Sequence, residues 1–316
     1  MKSTGDKTME MEYDFIINPE SRSGLGEMTW KMIEPELKKQ RVRYRVHMTA
    51  KRKDAGKIAE ELTSDGREHT LVVLGGDGTL NEVVNGIRDP EKITLGYIPI
   101  GSSNDFARGL RLPKDPMDAL EAVLHPGKVI RMDVGVISDG TRSRRFLVSA
   151  GIGFDAAVCH EVCVSRWKVI LNRLGLGKLS YAVVALDRLA KDRPAHLALT
   201  MEDGSRREFP GTCFAAFMNL PYEGGGFKFC PGASPEDGLL DVIVAHGLSV
   251  PKILCLLPLA FGGKHTGSKG ITILKCRSVR VEADTPLPLH TDGEPGFPRR
   301  TAEAGILDSG IWVITG

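Results

Sequence analysis

The chain has 316 residues, and because domains usually hold about 100 to 200 residues, this length predicts two domains. An apolar fraction of 41% and a charged fraction of 26% are typical of a folded globular protein and exclude the disordered and fibrous classes. The 42 basic and 40 acidic side chains nearly balance, leaving a net charge of +2, which argues against nucleic acid as a partner.

Several features predict where the protein works. Six cysteines are scattered without a CxxC pair, which is typical of a reducing compartment. The N-terminal residues lack the apolar core of a signal peptide, and the longest apolar run, 253–261, is too short to span a bilayer. We therefore expect a cytoplasmic protein whose membrane contact is peripheral and transient. Cys159 and Cys163 lie one helical turn apart, but without further ligands we expect no zinc there.

Strand-like and helical patterns alternate through the first 131 residues. Strands are predicted at residues 13–17, 42–48, 71–74, 95–98 and 129–136, and helices at 27–40, 54–62, 79–87 and 117–124. Such alternation predicts a mostly parallel sheet that helices cover on both faces.

The pattern changes after residue 131. Short strand-like runs, separated by Gly, Pro and charged turns, occur at 146–149, 196–201, 213–218, 240–244 and 278–283. Helices are predicted at 167–190 and 251–261. We therefore expect an α/β domain at 13–131 and a β-rich domain at 132–316, with the last residues free to return to the first domain.

The most informative segment is residues 71–82, LVVLGGDGTLNE. Three glycines directly after a buried strand let the backbone approach a phosphate closely, and the following helix directs its N-terminal N–H groups at that anion. Asp77 is placed to position phosphate or a Mg²⁺ water, and Thr79 adds a hydroxyl donor. The alternative, a tight capped turn, leaves the glycines unexplained. The spacing fits neither the P-loop nor the GxGxxG pattern.

This segment resembles the diacylglycerol and sphingosine kinase family, because GGDGT at 75–79 is followed, after Leu80, by NEVVNG at 81–86. NAD kinases and phosphofructokinases carry related loops. Further matches follow in order: NPES at 18–21, PIGSSNDFAR at 99–108, PGASPEDG at 231–238 and DGE at 292–294. The resemblance covers residues 13–316 and is strongest to the soluble bacterial diacylglycerol kinases. It implies an NAD-kinase/phosphofructokinase-like α/β domain, then a sandwich-like β-rich domain, with the active site in the cleft between them.

The resemblance also implies a set of ATP contacts. These are Asn18, Pro19, Glu20, Ser21, Arg22, Thr49, Gly75, Gly76, Asp77, Gly78, Thr79, Leu80, Asn81, Glu82 and Ser102. From the residues alone, Asn18–Pro19 is typical of an ordinary turn. For Thr49, a helix N-cap is predicted as strongly as a nucleotide contact. Family members usually have threonine at position 102, and Ser102 keeps the hydroxyl. Asn104 and Asp105 are implied to shape the cleft.

Two further groups of residues are implied in the second domain. A Mg²⁺ site maps onto the Asp237 side chain and the carbonyls of Ser234 and Leu239, although a lone Asp-Gly turn is usually only a hairpin turn. Glu294 is implied to be the general base, with Asp292 as its electrostatic neighbour; Asp77 completes the catalytic set. The alternative for DGE is another charged turn.

The sequence therefore predicts an ATP- and Mg²⁺-dependent lipid kinase, and the resemblance alone names diacylglycerol as the acceptor. Alternatives are a kinase for another lipid alcohol, such as phosphatidylglycerol or a sphingoid base, an NAD kinase, or a non-catalytic nucleotide-binding regulator.

The expected partner is lipid at a membrane surface, and the sequence leaves open whether the protein forms a homodimer. Residues 171–189 and 253–261 are candidates for bilayer contact, with core packing as the alternative. The basic face of Arg41, Arg43, Arg45 and His47 is expected to be solvated rather than to bind lipid headgroups.

Overall fold

The computed structural model describes residues 12–154, 156 and 193–316, which divide into two compact units. The first unit comprises the chain up to Gly101, together with Pro113–Ile130 and Ile311–Gly316. The second comprises Ser102–Leu112 and Arg131–Gly310. The predicted helix at 167–190, the bilayer candidate at 171–189 and Cys159 and Cys163 lie outside the described residues.

The described elements follow in chain order. The strands are β1 Glu12–Ile17, β2 Arg43–Met48, β3 His69–Gly75, β4 Ile93–Pro99, β5 Val129–Met132, β6 Gly135–Ser138, β7 Ser143–Phe146, β8 Ser149–Gly153, β9 Ala195–Met201, β10 Arg206–Met218, β11 Leu240–His246, β12 Ile271–Cys276, β13 Ser278–Leu287, β14 Leu289–Thr291, β15 Glu294–Pro295, β16 Arg299–Ile306 and β17 Ile311–Ile314. The helices are α1 Leu25–Lys39, α2 Asp54–Leu62, α3 Asp77–Gly86, α4 Asp105–Leu110, α5 Pro116–Leu124 and α6 Val250–Phe261. Among the described helices, none is both long and apolar enough to cross a bilayer.

The first unit is built on a six-stranded sheet in the order β2-β1-β3-β4-β17-β5. Neighbours from β2 through β17 pair in parallel. The chain goes from β1 outward to β2 and then returns across β1 to β3, so the strand order reverses between β1 and β3. In open α/β sheets this reversal creates a ligand-binding crevice beyond the carboxyl ends of the two strands.

Helices cover this sheet because its strands are apolar on both faces. Trp30, Ile33 and Leu37 recur at helical spacing on α1 and are buried in one cluster with α5 and with Phe15 of β1. Side chains alternate along a strand, so Ile16 next to Phe15 faces the other side, where it is also fully buried. The predicted α/β class is thereby confirmed.

The basic residues of β2 do not form an unpaired patch. The Nη2 atom of Arg45 lies 2.8 Å from Oδ2 of the buried Asp14, and Nε2 of His47 lies 3.0 Å from its Oδ1. Two of the four basic residues of this face are therefore paired with a buried carboxylate, and the expected solvation of the face stays a prediction.

The second unit is an eleven-stranded sheet, and its printed pairings are all antiparallel. The long strand β10 pairs with β8, β9 and β11, so three branches of the sheet meet at this strand. Its alternate residues Ala215 and Phe217 are fully buried in one apolar cluster with Leu197 and Val242. The predicted β-rich second part is confirmed.

Two strand predictions were wrong. The single strand at 129–136 is two strands, because the chain leaves the first sheet after Met132 and enters the second at Gly135. Asp133 makes this transition with long-range bonds: its N–H donates to Pro235 O at 2.7 Å, and its Oδ2 accepts from Gly238 N at 2.7 Å.

The predicted strand at 146–149 is interrupted in the middle. Strand β7 ends at Phe146 and β8 begins at Ser149. The intervening N–H groups of Leu147 and Val148 donate to the carboxylate of Asp292, at 3.1 and 2.9 Å, instead of to a neighbouring strand.

Candidate active site

The predicted nucleotide contacts of the first unit gather at one edge of the parallel sheet. Strands β2, β1, β3 and β4 are neighbours, with Ile17 opposite Met48 and Leu74, and Gly75 opposite Pro99. Their carboxyl ends therefore coincide. The edge carries Asn18, Thr49, the turn after Gly75, and Gly101.

Close packing explains the glycines of the β3–α3 turn. A side chain on Gly75 would lie 2.8 Å from Cβ of Thr79, and one on Gly76 would lie 3.2 Å from Cα of Gly101. Tyr97 Oη donates to Gly75 O at 3.2 Å, and Ile100 N donates to the same oxygen at 3.0 Å. The turn is thus held tightly against the neighbouring strand.

Helix α3 begins at Asp77, two residues earlier than predicted, with Gly76 as its N-cap in an extended conformation. The N–H groups of the first helical turn have no acceptor within the helix, and the helix dipole adds partial positive charge there. Asn18 Nδ2 donates to Thr79 Oγ1 at 3.1 Å, which ties the β1 loop to this turn across the strand-order reversal. The arrangement suits a phosphate group.

The loop after β1 is strained and closely packed. Arg22, Ser23 and Gly24 all have positive φ, at 47°, 60° and 92°. The left-handed region costs a non-glycine residue roughly 1–2 kcal/mol, and such strain persists where surrounding contacts impose it. One contact is visible: a side chain on Gly26 would lie 2.0 Å from Asn18 O. Pro19, Glu20 and Ser21 lie in this loop, and Gly26 N donates to Ser21 O at 3.3 Å.

The remaining predicted contacts have varied surroundings. Leu80 and Asn81 are buried, and Glu82 Oε1 accepts from Lys53 N at 2.8 Å at the start of α2. Thr49 N donates to Ile17 O at 2.9 Å. The N-cap of α2 is Lys53, so the N-cap alternative for Thr49 was wrong.

The last two predicted contacts belong to different units of the chain. Gly78 lies in the first turn of α3. Ser102 begins the segment that groups with the second unit.

In the second unit, Asp292 and Gly293 form the two-residue loop of a hairpin between β14 and β15. Their φ angles are 48° and 78°, as a type I′ turn requires, and Asp-Gly is a preferred sequence for that turn. The turn places Glu294 directly opposite Thr291, where its side chain is half-buried. The tight turn thus fixes the backbone that carries Glu294.

Asp292 has a structural task in this hairpin. Its Oδ1 accepts from Val148 N at 2.9 Å and Ser149 N at 3.0 Å, and its Oδ2 accepts from Leu147 N at 3.1 Å. Three N–H donors engage both oxygens, so the carboxylate anchors the turn to the β7–β8 segment. Its role as an electrostatic neighbour of Glu294 stays a prediction.

Behind the turn, His290 and Glu223 form a buried pair that no sequence motif predicted. Gly293 N donates to Nδ1 of the buried His290 at 3.3 Å, which leaves the proton on Nε2. That atom lies 3.0 Å from Oε1 of the buried Glu223. His290 lies two residues before Asp292, so its closeness to the DGE motif could have indicated it. Glu223 lies in a distant segment with no motif of its own.

The predicted metal segment presents oxygen donors beside a lysine. Lys275 Nζ lies 3.0 Å from Asp237 Oδ2 and 3.3 Å from Oδ2 of the buried Asp241. Burial raises the pKa of Asp133, and the nearby Asp237 carboxylate raises it further. Among the described residues, no group of three or more His, Cys, Asp or Glu side chains forms a metal cage. One carboxylate with the carbonyls of Ser234 and Leu239 is nevertheless a hard, all-oxygen donor set, which fits Mg²⁺.

Asp105 opens the short helix α4 after Asn104, which has a φ of 49°. Its Oδ2 accepts from Gly225 N at 2.7 Å, and its Oδ1 contacts the Arg108 guanidinium. Burial raises the pKa of Asp105, and the Gly225 N–H and Arg108 oppose that rise. Asp105 therefore connects α4 to the 223–227 loop, which also holds Glu223.

Two family models match the chain along most of its length. Residues 12–137 match the diacylglycerol kinase catalytic domain. Residues 148–303 match the YegS C-terminal NAD kinase beta sandwich-like domain. The two matches follow the order of the α/β and β-rich parts.

Curated relatives and solved structures agree with this assignment. The chain is 34% identical over 285 residues to "Putative lipid kinase YtlR" of Bacillus subtilis (strain 168), covering 89% of this chain and 92% of that protein. It is 30% identical over 283 residues to "Diacylglycerol kinase" of Staphylococcus saprophyticus, covering 89% and 88%.

The structural neighbours support the fold. A crystal structure of a diacylglycerol kinase from Bacillus anthracis str. Sterne matches with a TM-score of 0.69 at 22% identity, covering 97% of both chains. An NAD kinase from Archaeoglobus fulgidus in complex with ATP matches with a TM-score of 0.53 at 13% identity, covering 96% and 93%. The predicted resemblance is thereby confirmed: the chain belongs to the diacylglycerol kinase family and is a lipid kinase.

Proposed function

We propose that this lipid kinase transfers the γ-phosphoryl group of ATP to the free hydroxyl of diacylglycerol, giving phosphatidic acid, in a reaction that requires Mg²⁺. The proposal that ATP binds here is supported by the turn from Gly75 to Asp77, which begins a helix at the strand-order reversal of a parallel sheet. The acceptor half is supported by relatives named diacylglycerol kinase.

The residues divide the chemistry between them. Backbone N–H groups at the start of α3 bind the phosphates, while Asn18 and Thr79 hold the turn in shape. Glu294 accepts the hydroxyl proton as the lipid oxygen bonds to phosphorus and the bond from phosphorus to the β-phosphate oxygen breaks. Ser234, Asp237 and Leu239 would hold Mg²⁺, whose contribution is to offset negative charge during transfer.

The test is a panel assay with the full chain and radiolabelled ATP, with products separated by thin-layer chromatography. The acceptors are diacylglycerol, phosphatidylglycerol, a sphingoid base and NAD, each with Mg²⁺ and with chelator. We expect labelled phosphatidic acid from diacylglycerol, with loss of the product in chelator. Preferential labelling of any other acceptor would overturn the proposed substrate, and ATP binding without transfer to the panel would overturn the proposed reaction.

A further inference from the structure

Apart from Lys252, helix α6 is apolar around its circumference, yet it lies on the surface. Its sequence is VPKILCLLPLAF, with Lys252 as its sole charged residue. Of its side chains only Ala260 is buried. Val250 at the start of the helix is exposed, and six further exposed residues form one continuous stripe at helical spacing, the docking face: Pro251, Leu254, Cys255, Pro258, Leu259 and Phe261. A helix that is apolar all round is normally buried, so this one lacks a covering partner among the described residues.

Aromatic residues continue the apolar surface past the end of the helix. Phe261 stacks on Phe227 with ring centroids 4.1 Å apart, and Phe227 stacks on Phe229 at 5.6 Å. Lys228 N donates to Ala260 O at 2.9 Å, which fixes the helix end on this segment. The same loop carries Glu223, whose carboxylate meets His290 behind the hairpin of Glu294. The docking face and the proposed base are therefore attached to one loop.

The surroundings of the docking face are basic. No Asp or Glu occurs between residues 242 and 281, whereas this stretch holds six Lys and Arg residues. Lys275, Arg277 and Arg280 are paired with carboxylates. Lys252, Lys264 and Lys269 have no carboxylate partner among the described residues. The face thus combines exposed apolar side chains with positive charge that is not neutralised.

We propose that the docking face and these three lysines bind the surface of a bilayer that contains anionic phospholipid, with the apolar side chains inserted at the headgroup boundary. A 12-residue helix is about 18 Å long, so it lies on the bilayer rather than spanning it. Positive side chains beside an apolar helix match an anionic lipid surface. A second copy fits poorly, because a two-fold contact would bring both sets of lysines together. The inference rests on the proposed lipid acceptor.

Binding is tested by co-sedimentation of the full chain with sucrose-loaded vesicles of phosphatidylcholine, with and without about 30 mol% phosphatidylglycerol. We expect binding to the anionic vesicles that weakens with salt. Each lysine should strengthen the affinity for anionic vesicles roughly fivefold. The triple variant Lys252→Ala, Lys264→Ala, Lys269→Ala should therefore bind these vesicles about 100-fold more weakly. The Leu254→Glu, Leu259→Glu variant should lose binding, since these side chains are 40% and 41% exposed. Met28→Glu, at a 68% exposed position on α1, is the matched control and should bind normally.

Activity separates this inference from the proposed function. Leu254→Glu, Leu259→Glu should lose turnover of vesicle-embedded diacylglycerol but keep turnover of a short-chain diacylglycerol in solution, with an unchanged melting temperature. A wild-type protein that binds vesicles but phosphorylates neither form would overturn the acceptor and leave the docking face supported. Equal vesicle binding by wild type and this variant would overturn the docking face. So would a stable dimer that Leu254→Glu dissociates.

Discussion

The Nε2 atom of His290 lies 3.0 Å from the Oε1 atom of Glu223, and both side chains are buried. Gly293 N donates to the other nitrogen of the same ring at 3.3 Å. The ring therefore connects a buried carboxylate to the turn that carries Glu294. A buried carboxylate without its donor is strongly destabilising, because its desolvation is no longer compensated.

We predict that His290→Ala lowers the free energy of unfolding by about 3 kcal/mol and slows phosphoryl transfer. His290→Gln should recover much of both, because a glutamine amide can donate to Glu223 and accept from Gly293 N. Urea unfolding and single-turnover transfer measure the two effects. His125→Ala, at an exposed histidine, is the control and should change stability by less than about 0.5 kcal/mol. If His290→Gln behaved like His290→Ala, the hydrogen-bonding role would be wrong.

Asp77→Ala is expected to impair the use of ATP and Mg²⁺ while leaving the fold intact, because this residue opens α3 at the phosphate edge of the sheet. Steady-state kinetics against ATP, with thermal melting on the same samples, measures both. Asp115 supplies a matched control: it caps α5 by accepting from Met117 N at 2.8 Å. Asp115→Ala should cost about 1 kcal/mol of stability and leave the kinetics unchanged. An unchanged Michaelis constant and normal turnover in Asp77→Ala would contradict the assignment.

Asp237→Ala is expected to raise the Mg²⁺ concentration needed for half-maximal activity, because one charged ligand would be lost from a site otherwise made of carbonyls. The measurement is a Mg²⁺ titration at saturating ATP. Glu236→Ala removes the adjacent exposed carboxylate and is the control. Identical titrations for Asp237→Ala and the wild type would remove Asp237 from the proposed metal site.

Asp139 supplies a pH prediction away from the candidate site. Hydrogen bonds from the Thr141 hydroxyl and from the Thr141 and Arg142 N–H groups, together with the Arg299 guanidinium, hold the pKa of Asp139 well below its usual value. Because the folded pKa is lowered, this stabilisation is complete above the unfolded value of about 3.9 and is lost as the pH falls toward the folded value.

Asp139→Asn should therefore lower the free energy of unfolding by about 2 kcal/mol at neutral pH, with a difference that shrinks below about pH 4. Urea unfolding at several pH values measures it. Asp308→Asn, at a side chain that is 98% exposed, should show no comparable difference. A difference between Asp139→Asn and the wild type that stayed constant with pH would contradict the ionic origin.

Local patterns predicted the first unit well. The periodicity of α2 gave its bounds, Asp54–Leu62, and β1 and β2 were predicted to within one residue. Helix α3 was predicted to begin two residues too late because Gly78 lowers helix propensity, whereas the structure includes it in the first turn. Strand β16 was missed because RRTAEAGI has low strand propensity; its pairing with β13 and β6 decides its structure.

Long-range contacts explain the strand boundaries that local sequence patterns did not predict. The break at Leu147 and Val148 depends on Asp292, about 145 residues away. The transition at Asp133 depends on Gly238, 105 residues away. For the candidate site, motifs located Asp77 and the DGE turn, but the buried Glu223 carries no signal of its own.

In the proposed reaction, Glu294 accepts the proton of the lipid hydroxyl during ATP-dependent transfer. Single-turnover transfer from ATP to dispersed diacylglycerol by Glu294→Gln tests it most directly, with ATP binding and thermal melting followed on the same preparation. Glu303→Gln on β16 is the matched control, because it makes the same change at an exposed strand position.

We predict that Glu294→Gln slows transfer about 10² to 10⁴-fold while ATP affinity and melting temperature hardly change, because the amide keeps the size of the side chain but cannot take the proton. Transfer slowed less than about tenfold would contradict the role of Glu294 as the base, since positioning alone would then account for the effect.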